Sequence, residues 1–330
     1  MSPDIIGSIA PGGSILSLRA IDKSYGSVHA IRQISLEIPQ GCIYGFLGPN
    51  GAGKTTTLRC IMSIILPDSG EILFAGQPLT GAVRDRIGYL PEERGLYRKM
   101  KCLDQLIYLA QLKGMPRAAA RERSLVWLER LGLADWSKRK VDELSKGMQQ
   151  KIQFAATFIF GPELVILDEP FSGLDPLNIA LLREIILDEK KRGTTILFST
   201  HMLAEAEKIC DAICLIEGSE KILDGTLDQV RSEFPLESVA VAYADGSEPP
   251  ADLPGVMHCK FEDAVWRLTL DTGADPRLLL APLQASGPLS LFSANRPSLN
   301  DIFLAAVYRR RGEVSATAPA AAAESGGEPA

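Results

Sequence analysis

Gly48-Pro49-Asn50-Gly51-Ala52-Gly53-Lys54-Thr55 is the stretch whose reading decides the fold, and it satisfies the spacing G-x-x-x-x-G-K-[ST]. Glycines at these positions let backbone N–H groups wrap phosphate oxygens at the start of a helix, where unpaired donors and the helix dipole favour an anion. The spacing puts Lys54 at the β and γ phosphates of a nucleotide and Thr55 at a magnesium ion, with the cradle running on through Thr56.

Outward from this loop, residues 43–47 form an apolar run on one side, and Leu58, Ile61, Met62 and Ile65 recur at helical spacing on the other. The order strand, Gly-rich loop, helix is the context that a phosphate-binding loop requires. Further upstream, Ile15, Leu16 and Leu18 begin a strand. Ile34, Leu36 and Ile38 alternate with polar neighbours before the turn Pro39-Gln40-Gly41, so a β-rich segment precedes the site. Downstream, Leu103, Leu106, Leu109 and Leu112, then Leu125, Leu128 and Leu131, predict two amphipathic helices separated by Pro116, with core packing rather than chemistry as their role.

Leu164-Val165-Ile166-Leu167-Asp168-Glu169-Pro170 reads as a buried strand that ends on two carboxylates. Asp168 suits a magnesium ion held through water, and Glu169 a base that orients or deprotonates an attacking water. Acid pairs after strands also cap helices, so the pair gains its meaning from the phosphate loop. Between 161 and 217 strand-like and helix-like segments alternate, the sign of a parallel α/β sheet. After about residue 235 the pattern changes: strands near 239–243, 265–270 and 289–292, a helix near 277–284 and a final helix from Leu299 predict a small α+β accessory domain. Beyond Gly312, Ala, Pro, Gly and Glu leave little to bury, and disorder is expected.

Bulk properties narrow the partners. With 330 residues and 46% hydrophobic content the chain has enough material for one large domain and a smaller one. A net charge of -6 argues against nucleic acid as the main partner. Six scattered cysteines, with no CxxC pair, indicate neither a zinc ribbon nor a disulfide framework. Cys210 and Cys214, spaced as on one helical face, could join His201 around a metal, although small buried thiols are commoner. The N-terminus lacks the basic and apolar regions of a signal peptide, and apolar runs such as 61–66 fall far short of a membrane span. The expectation is a cytoplasmic chain that leaves any transport pathway to another protein.

GPNGAGKTT, LSKGMQQK, ILDEPFSGLDP and STH stand in the order and spacing of ABC-family nucleotide-binding domains, and the resemblance covers roughly residues 15–235. It implies a P-loop ABC ATPase domain with a RecA-like core, an antiparallel β subdomain and a helical subdomain, binding ATP and Mg2+. The resemblance also makes Ser145, Lys146 and Gly147 the signature loop that faces the γ-phosphate held by a second subunit. A Ser before a helical run also suits an anion at a helix N-terminus, and a plain N-cap is the commoner use of such a residue. His201 becomes the switch histidine at the γ-phosphate, Tyr25 the aromatic that stacks on adenine, and Asp175 part of the loop that couples two sites across a dimer. A lone histidine or an edge aromatic is otherwise more often structural.

Two positions depart from the family. Tyr89-Leu90-Pro91-Glu92-Glu93-Arg94-Gly95-Leu96-Tyr97 puts Glu92 where a glutamine usually stands, adding charge beside the magnesium ion; the signature has Lys146 for a usual glycine and Met148 for a usual glutamine. These variants resemble ATP-binding subunits of ABC-2 type exporters, including sodium-efflux systems, and 297–303 resembles the end of the C-terminal domain found in that group. The resemblance implies a division into a tail (1–14), an ATP-binding domain (15–235), an accessory domain (236–311) and a second tail (312–330). It also implies a second ATPase subunit, identical or different, an integral-membrane permease and a place on the cytoplasmic face of the membrane. A soluble ABC ATPase acting on nucleic acid or ribosomes is the alternative, and a nucleotide sensor without turnover a third reading.

Overall fold

The computed structural model describes residues 13–93, 95–234, 238–262, 264–271, 274–294 and 297–311. Residues 1–12 of the expected first tail and all of 312–330 lie outside the described residues. In chain order the first half runs β1 (Ser14–Tyr25), β2 (Val28–Pro39), β3 (Ile43–Leu47), α1 (Lys54–Ile61), β4 (Ser69–Phe74), β5 (Gln77–Pro78), α2 (Gly81–Arg84), β6 (Ile87–Leu90), α3 (Cys102–Leu112), α4 (Arg117–Arg130) and α5 (Lys146–Phe158). The second half runs β7 (Leu164–Asp168), α6 (Pro176–Lys191), β8 (Thr195–Thr200), α7 (Leu203–Ile209), β9 (Ala212–Glu217), β10 (Glu220–Thr226), α8 (Leu227–Ser232), β11 (Ser238–Tyr243), β12 (Val256–Glu262), β13 (Val265–Leu270), α9 (Leu280–Ser286), β14 (Leu289–Ser293) and α10 (Leu299–Arg311).

Among the described residues these strands form three sheets. The central one has the order β10-β9-β3-β8-β7-β6, parallel throughout except for β10, which pairs antiparallel on β9. A parallel sheet is covered on both faces, so its strands read as unbroken apolar runs, and the side-chain period of two divides each run between two cores. Ile43, Val165, Leu167, Ile196, Phe198 and Ile213 join the core built with α3 to α6. Their neighbours Tyr44, Phe46, Leu164, Ile166, Leu197 and Cys214 join the core shared with α1 and the sheet β2-β1-β4-β5. Burying each such side chain contributes about 1.5–3 kcal/mol.

The third sheet, β12-β13-β11-β14, is antiparallel and has its own core of Val239, Val241, Leu268 and Leu270 against Leu279 and Leu283. The expected helix near 277–284 is observed as a 3-10 helix, Pro276–Leu279, that passes into α9; Pro276 at its start and Asp275 as its cap set that entry. The edge strand β12 was not foreseen, because its MHCKFE run lacks the alternation of a half-buried strand. The last helix turns back: Leu299, Ile302 and Ala306 of α10 belong to the first core, and Arg309 lies 4.4 Å over the ring of Phe234.

Two expectations about helical faces are corrected. The leucine stripe of α3 is only partly buried: Leu106 is buried, but Leu112 is exposed, and Cys102, Gln105, Ile107 and Ala110 fill the inner face. Leucines three apart advance 300° per step, so four of them walk half-way around a helix. In α4 Leu128 is buried as expected, but Leu125 is exposed and Ser124 and Trp127 face inward. Cys210 and Cys214 share no helical face, since Cys210 caps the end of α7 and Cys214 lies within β9; both are buried thiols that burial pushes well above their usual pKa. Among the described residues no cluster of His, Cys, Asp and Glu could hold a metal by itself.

Candidate functional site

In an open α/β sheet the ligand crevice lies beyond the carboxyl ends of the strands. Here that edge gathers Gly48 after β3, Glu92 after β6, Asp168 and Glu169 at the end of β7, and Ser199 and His201 at the end of β8. A pocket of about 260 Å3 opens among Asn50, Gly51, Gly53, Lys54, Thr55, Thr56, Glu92 and Glu169.

The loop before α1 is shaped for a phosphate. Gly53 caps α1 in the left-handed region (φ 102°), with no side-chain cap and no acidic residue in the first turn, so the helix N-terminus offers free N–H groups. A Cβ at Gly53 would stand 2.2 Å from Ala30 O, which leaves glycine as the residue that fits there. The buried Lys54 folds back over the loop: its Nζ donates to Gly48 O at 2.8 Å and Pro49 O at 3.2 Å and lies 3.4 Å from Glu169 Oε1. Its position is therefore held by two backbone carbonyls rather than by its flexible stem.

Across the pocket, β8 orders the acids of β7. Parallel pairing sets Asp168 opposite Ser199, whose hydroxyl donates to Asp168 Oδ1 at 2.6 Å and accepts the Glu169 N–H at 3.2 Å. Thr55 Oγ1 donates to the same Asp168 Oδ1 at 3.1 Å, while Asp168 Oδ2 is buried without a hydrogen-bond partner. Burial raises the Asp168 carboxyl above its ordinary pKa, with the Ser199 and Thr55 hydroxyls offsetting only part of the shift. A buried, unpaired carboxylate oxygen beside a threonine hydroxyl is a hard oxygen donor set of the kind that Mg2+ takes together with phosphates and water. The residues present fit that ion.

Glu169 has a strained backbone, with φ at 49° in the left-handed region. Its Oε2 accepts from His201 Nδ1 at 3.0 Å, and its Oε1 is buried without a hydrogen bond beside Lys54. His201 is thus anchored at one nitrogen while its ring stays half exposed at the mouth of β8.

Other predicted residues are brought together elsewhere in the chain. Ser145 caps α5, its hydroxyl accepting the Met148 N–H at 3.3 Å, and Asp175 caps α6 by accepting the Asn178 N–H at 2.9 Å. The two caps are neighbours: a Cβ at Gly147 would meet Leu174 Cδ2 at 3.4 Å. None of Ser145, Gly147 and Asp175 lines the pocket around Lys54. Tyr25 ends β1 with a half-exposed ring and Lys23 Nζ at 5.6 Å from its centre, also off the pocket lining. Ser199, the first residue of the STH run, carried no role in the sequence; the register of two adjacent parallel strands ending together places its hydroxyl between Asp168 and Glu169.

Residues 31–172 match the family described as ABC transporter, and residues 225–307 match the family described as ATP-binding protein DrrA1-3-like, C-terminal domain. The chain is 39% identical over 290 residues to the ABC transporter ATP-binding protein YhaQ of Bacillus subtilis, covering 88% of this chain and 97% of that protein. It is 36% identical to the Nod factor export ATP-binding protein I of Burkholderia orbicola, covering 90% of this chain and 97% of that one. To the ABC transporter ATP-binding protein NatA of Bacillus subtilis it is 39% identical, over 62% of this chain and 84% of that one. Among solved structures, an ATP binding subunit of an ABC transporter aligns with TM-score 0.63 and 32% identity over 67% of this chain and 93% of its own length. CbiO1 of Clostridium perfringens, part of the ABC transporter complex cbiONQ, aligns with TM-score 0.60 and 26% identity over 67% of this chain and 92% of its own.

Proposed function

Because the chain belongs to the ABC transporter ATP-binding proteins, we propose that it is the ATPase half of an exporter whose pathway lies in a separate permease, and that ATP closes it against a second ATP-binding subunit. The chain is an ATP-binding, ATP-hydrolysing subunit of the exporter type with a DrrA-like C-terminal domain. The observation that carries the proposed chemistry is the convergence of Lys54, Asp168, Glu169 and His201 on one strand edge beside a free helix N-terminus.

In this reading the N–H groups from Asn50 to Thr56, with Gly48 and Pro49 shaping the loop, bind the phosphates and Lys54 neutralises the β and γ groups. Thr55, Asp168 and Glu92 would hold Mg2+, which would offset the charge that develops on the transferring phosphoryl group. Glu169 takes the proton of the attacking water, and the His201 contact fixes its carboxylate. Tyr25 stacks on the adenine and contributes affinity without much base selectivity. Ser145 and Gly147 complete the pocket of a second subunit, and Asp175 links the two sites; the neighbouring caps of α5 and α6 support that pairing. The second subunit is a copy of this chain or a related one.

Residues 15–235 are the proposed ATP-binding domain and 236–311 the accessory domain, supported by the separate core under β11 to β14; α10 ties the two together through the first core. Among the described residues no helix is long and apolar enough to cross a membrane; the likeness to CbiO1, part of the ABC transporter complex cbiONQ, supports docking on a permease at the cytoplasmic face. Sodium is the cargo to test first, on the resemblance of residues 89–97 and of the signature at 144–148 to those of sodium-efflux ATP-binding subunits. The test is ATP-dependent efflux from vesicles that carry this chain with its membrane partner: sodium movement that needs ATP supports the cargo, and ATP-driven export of a drug or lipid instead replaces it. Binding of nucleic acid that falls steeply with salt, with no membrane partner recovered, would favour the soluble alternative.

His201→Ala is expected to lower kcat by on the order of 100-fold, because Glu169 loses the group that orients it, while ATP affinity changes little. Steady-state phosphate release and nucleotide titration separate the two effects.

A further inference from the structure

Helix α5 sends two amide side chains into the loops that carry the pocket's acids. Gln153 is buried, and its Nε2 donates to Pro91 O at 3.3 Å and to Glu93 O at 3.2 Å, the carbonyls on either side of Glu92. Three residues earlier on the same helical face, Gln150 Nε2 donates at 2.7 Å to Pro170 O, next to Glu169. Both acidic loops therefore hang from one helix, whose cap is Ser145.

For Glu92 this matters more than for Glu169. Glu169 is itself buried and held by His201, whereas the Glu92 side chain is exposed at the pocket wall, so its place depends on its backbone. That backbone is fixed on both flanks by one buried donor.

We infer that Gln153 is a positioning residue, holding the loop of Glu92 so that the Glu92 carboxylate meets the metal ion carried by the nucleotide while Gln153 itself touches neither. This rests on the reading of Glu92 as a ligand of that ion. An outer partner of a metal ligand typically accounts for 10–100-fold in metal affinity, which gives the effect a readable size.

The test uses the full chain with a non-hydrolysable ATP analogue and Mn2+ as the probe, free Mn2+ being read by electron paramagnetic resonance. Four proteins are compared: the unaltered chain, Gln153→Met, Glu92→Leu and the double variant. Methionine keeps the volume of glutamine and removes the donor, and leucine at position 92 removes the side-chain oxygens that glutamine would keep. Gln153→Met is expected to weaken Mn2+ binding about tenfold, and to add nothing once Glu92→Leu is present. Unchanged Mn2+ affinity in Gln153→Met, or the same loss with and without Glu92→Leu, overturns the inference while leaving Glu92 a ligand. Wild-type affinity in Glu92→Leu overturns the ligand reading and the inference with it. Should Gln153→Met fail to fold, Gln153→Asn, too short to reach both carbonyls, is expected to give a smaller loss of the same sign, and wild-type affinity there overturns the inference equally.

Discussion

Glu169→Gln is expected to cut ATP turnover by about 100- to 10,000-fold, the range that a positioned general base supplies, while leaving ATP binding intact. Glutamine keeps the shape of the side chain and an oxygen that can accept from His201 Nδ1, now 3.0 Å from the carboxylate. It also removes a buried negative charge 3.4 Å from Lys54, so nucleotide affinity should hold or rise. What it cannot do is take a proton from water. Single-turnover phosphate release, measured beside equilibrium ATP binding, checks both halves: turnover equal to that of the unaltered chain would remove Glu169 from the role of base.

Lys54→Ala is expected to abolish measurable ATP binding. A hydrogen bond to a charged group is worth about 1.5–3 kcal/mol, or roughly 10- to 150-fold in affinity. Lys54 is placed to serve two phosphates at once, so the losses multiply to on the order of 1,000-fold or more. The substitution also frees Gly48 O and Pro49 O, which now accept from Lys54 Nζ, and leaves Glu169 without its neighbouring cation. A calorimetric titration with ATP, on protein whose thermal unfolding shows it folded, reads the effect. Unchanged affinity would mean that the phosphates lie elsewhere.

The fold and much of the site were legible because their signals are local in sequence. A strand, a glycine loop and a helix occupy consecutive residues from Ile43 to Ile61, and the apolar run before Asp168 announces a strand buried on both faces. The structure adds what consecutive residues cannot carry. Ser199 serves Asp168 and Glu169 through strand register, from 31 and 30 positions away, and Gln153 reaches the Glu92 loop across about 60 residues. A polar side chain midway along a helix gives no hint of which carbonyl it will find. The helical faces of α3 and α4 differ from the leucine spacing for another reason: leucines three apart walk around a helix, and Ala110, Ala120 and Ser124 are among the residues buried instead. Edge strand β12 stayed hidden because an exposed edge needs no apolar alternation.

In the proposed function the loop at Gly48 is half of a site, with phosphate, metal and base contacts in one chain and the capped helix at Ser145 serving another. The measurement that bears most directly on this is phosphate release per chain from Mg-ATP as a function of protein concentration, with the mass of the nucleotide-bound species followed in parallel. A shared site predicts specific activity that is negligible in the monomer and climbs as a second ATP-binding subunit, this chain or its related partner, is supplied. Full specific activity from a species of monomeric mass, unchanged on dilution, would contradict it.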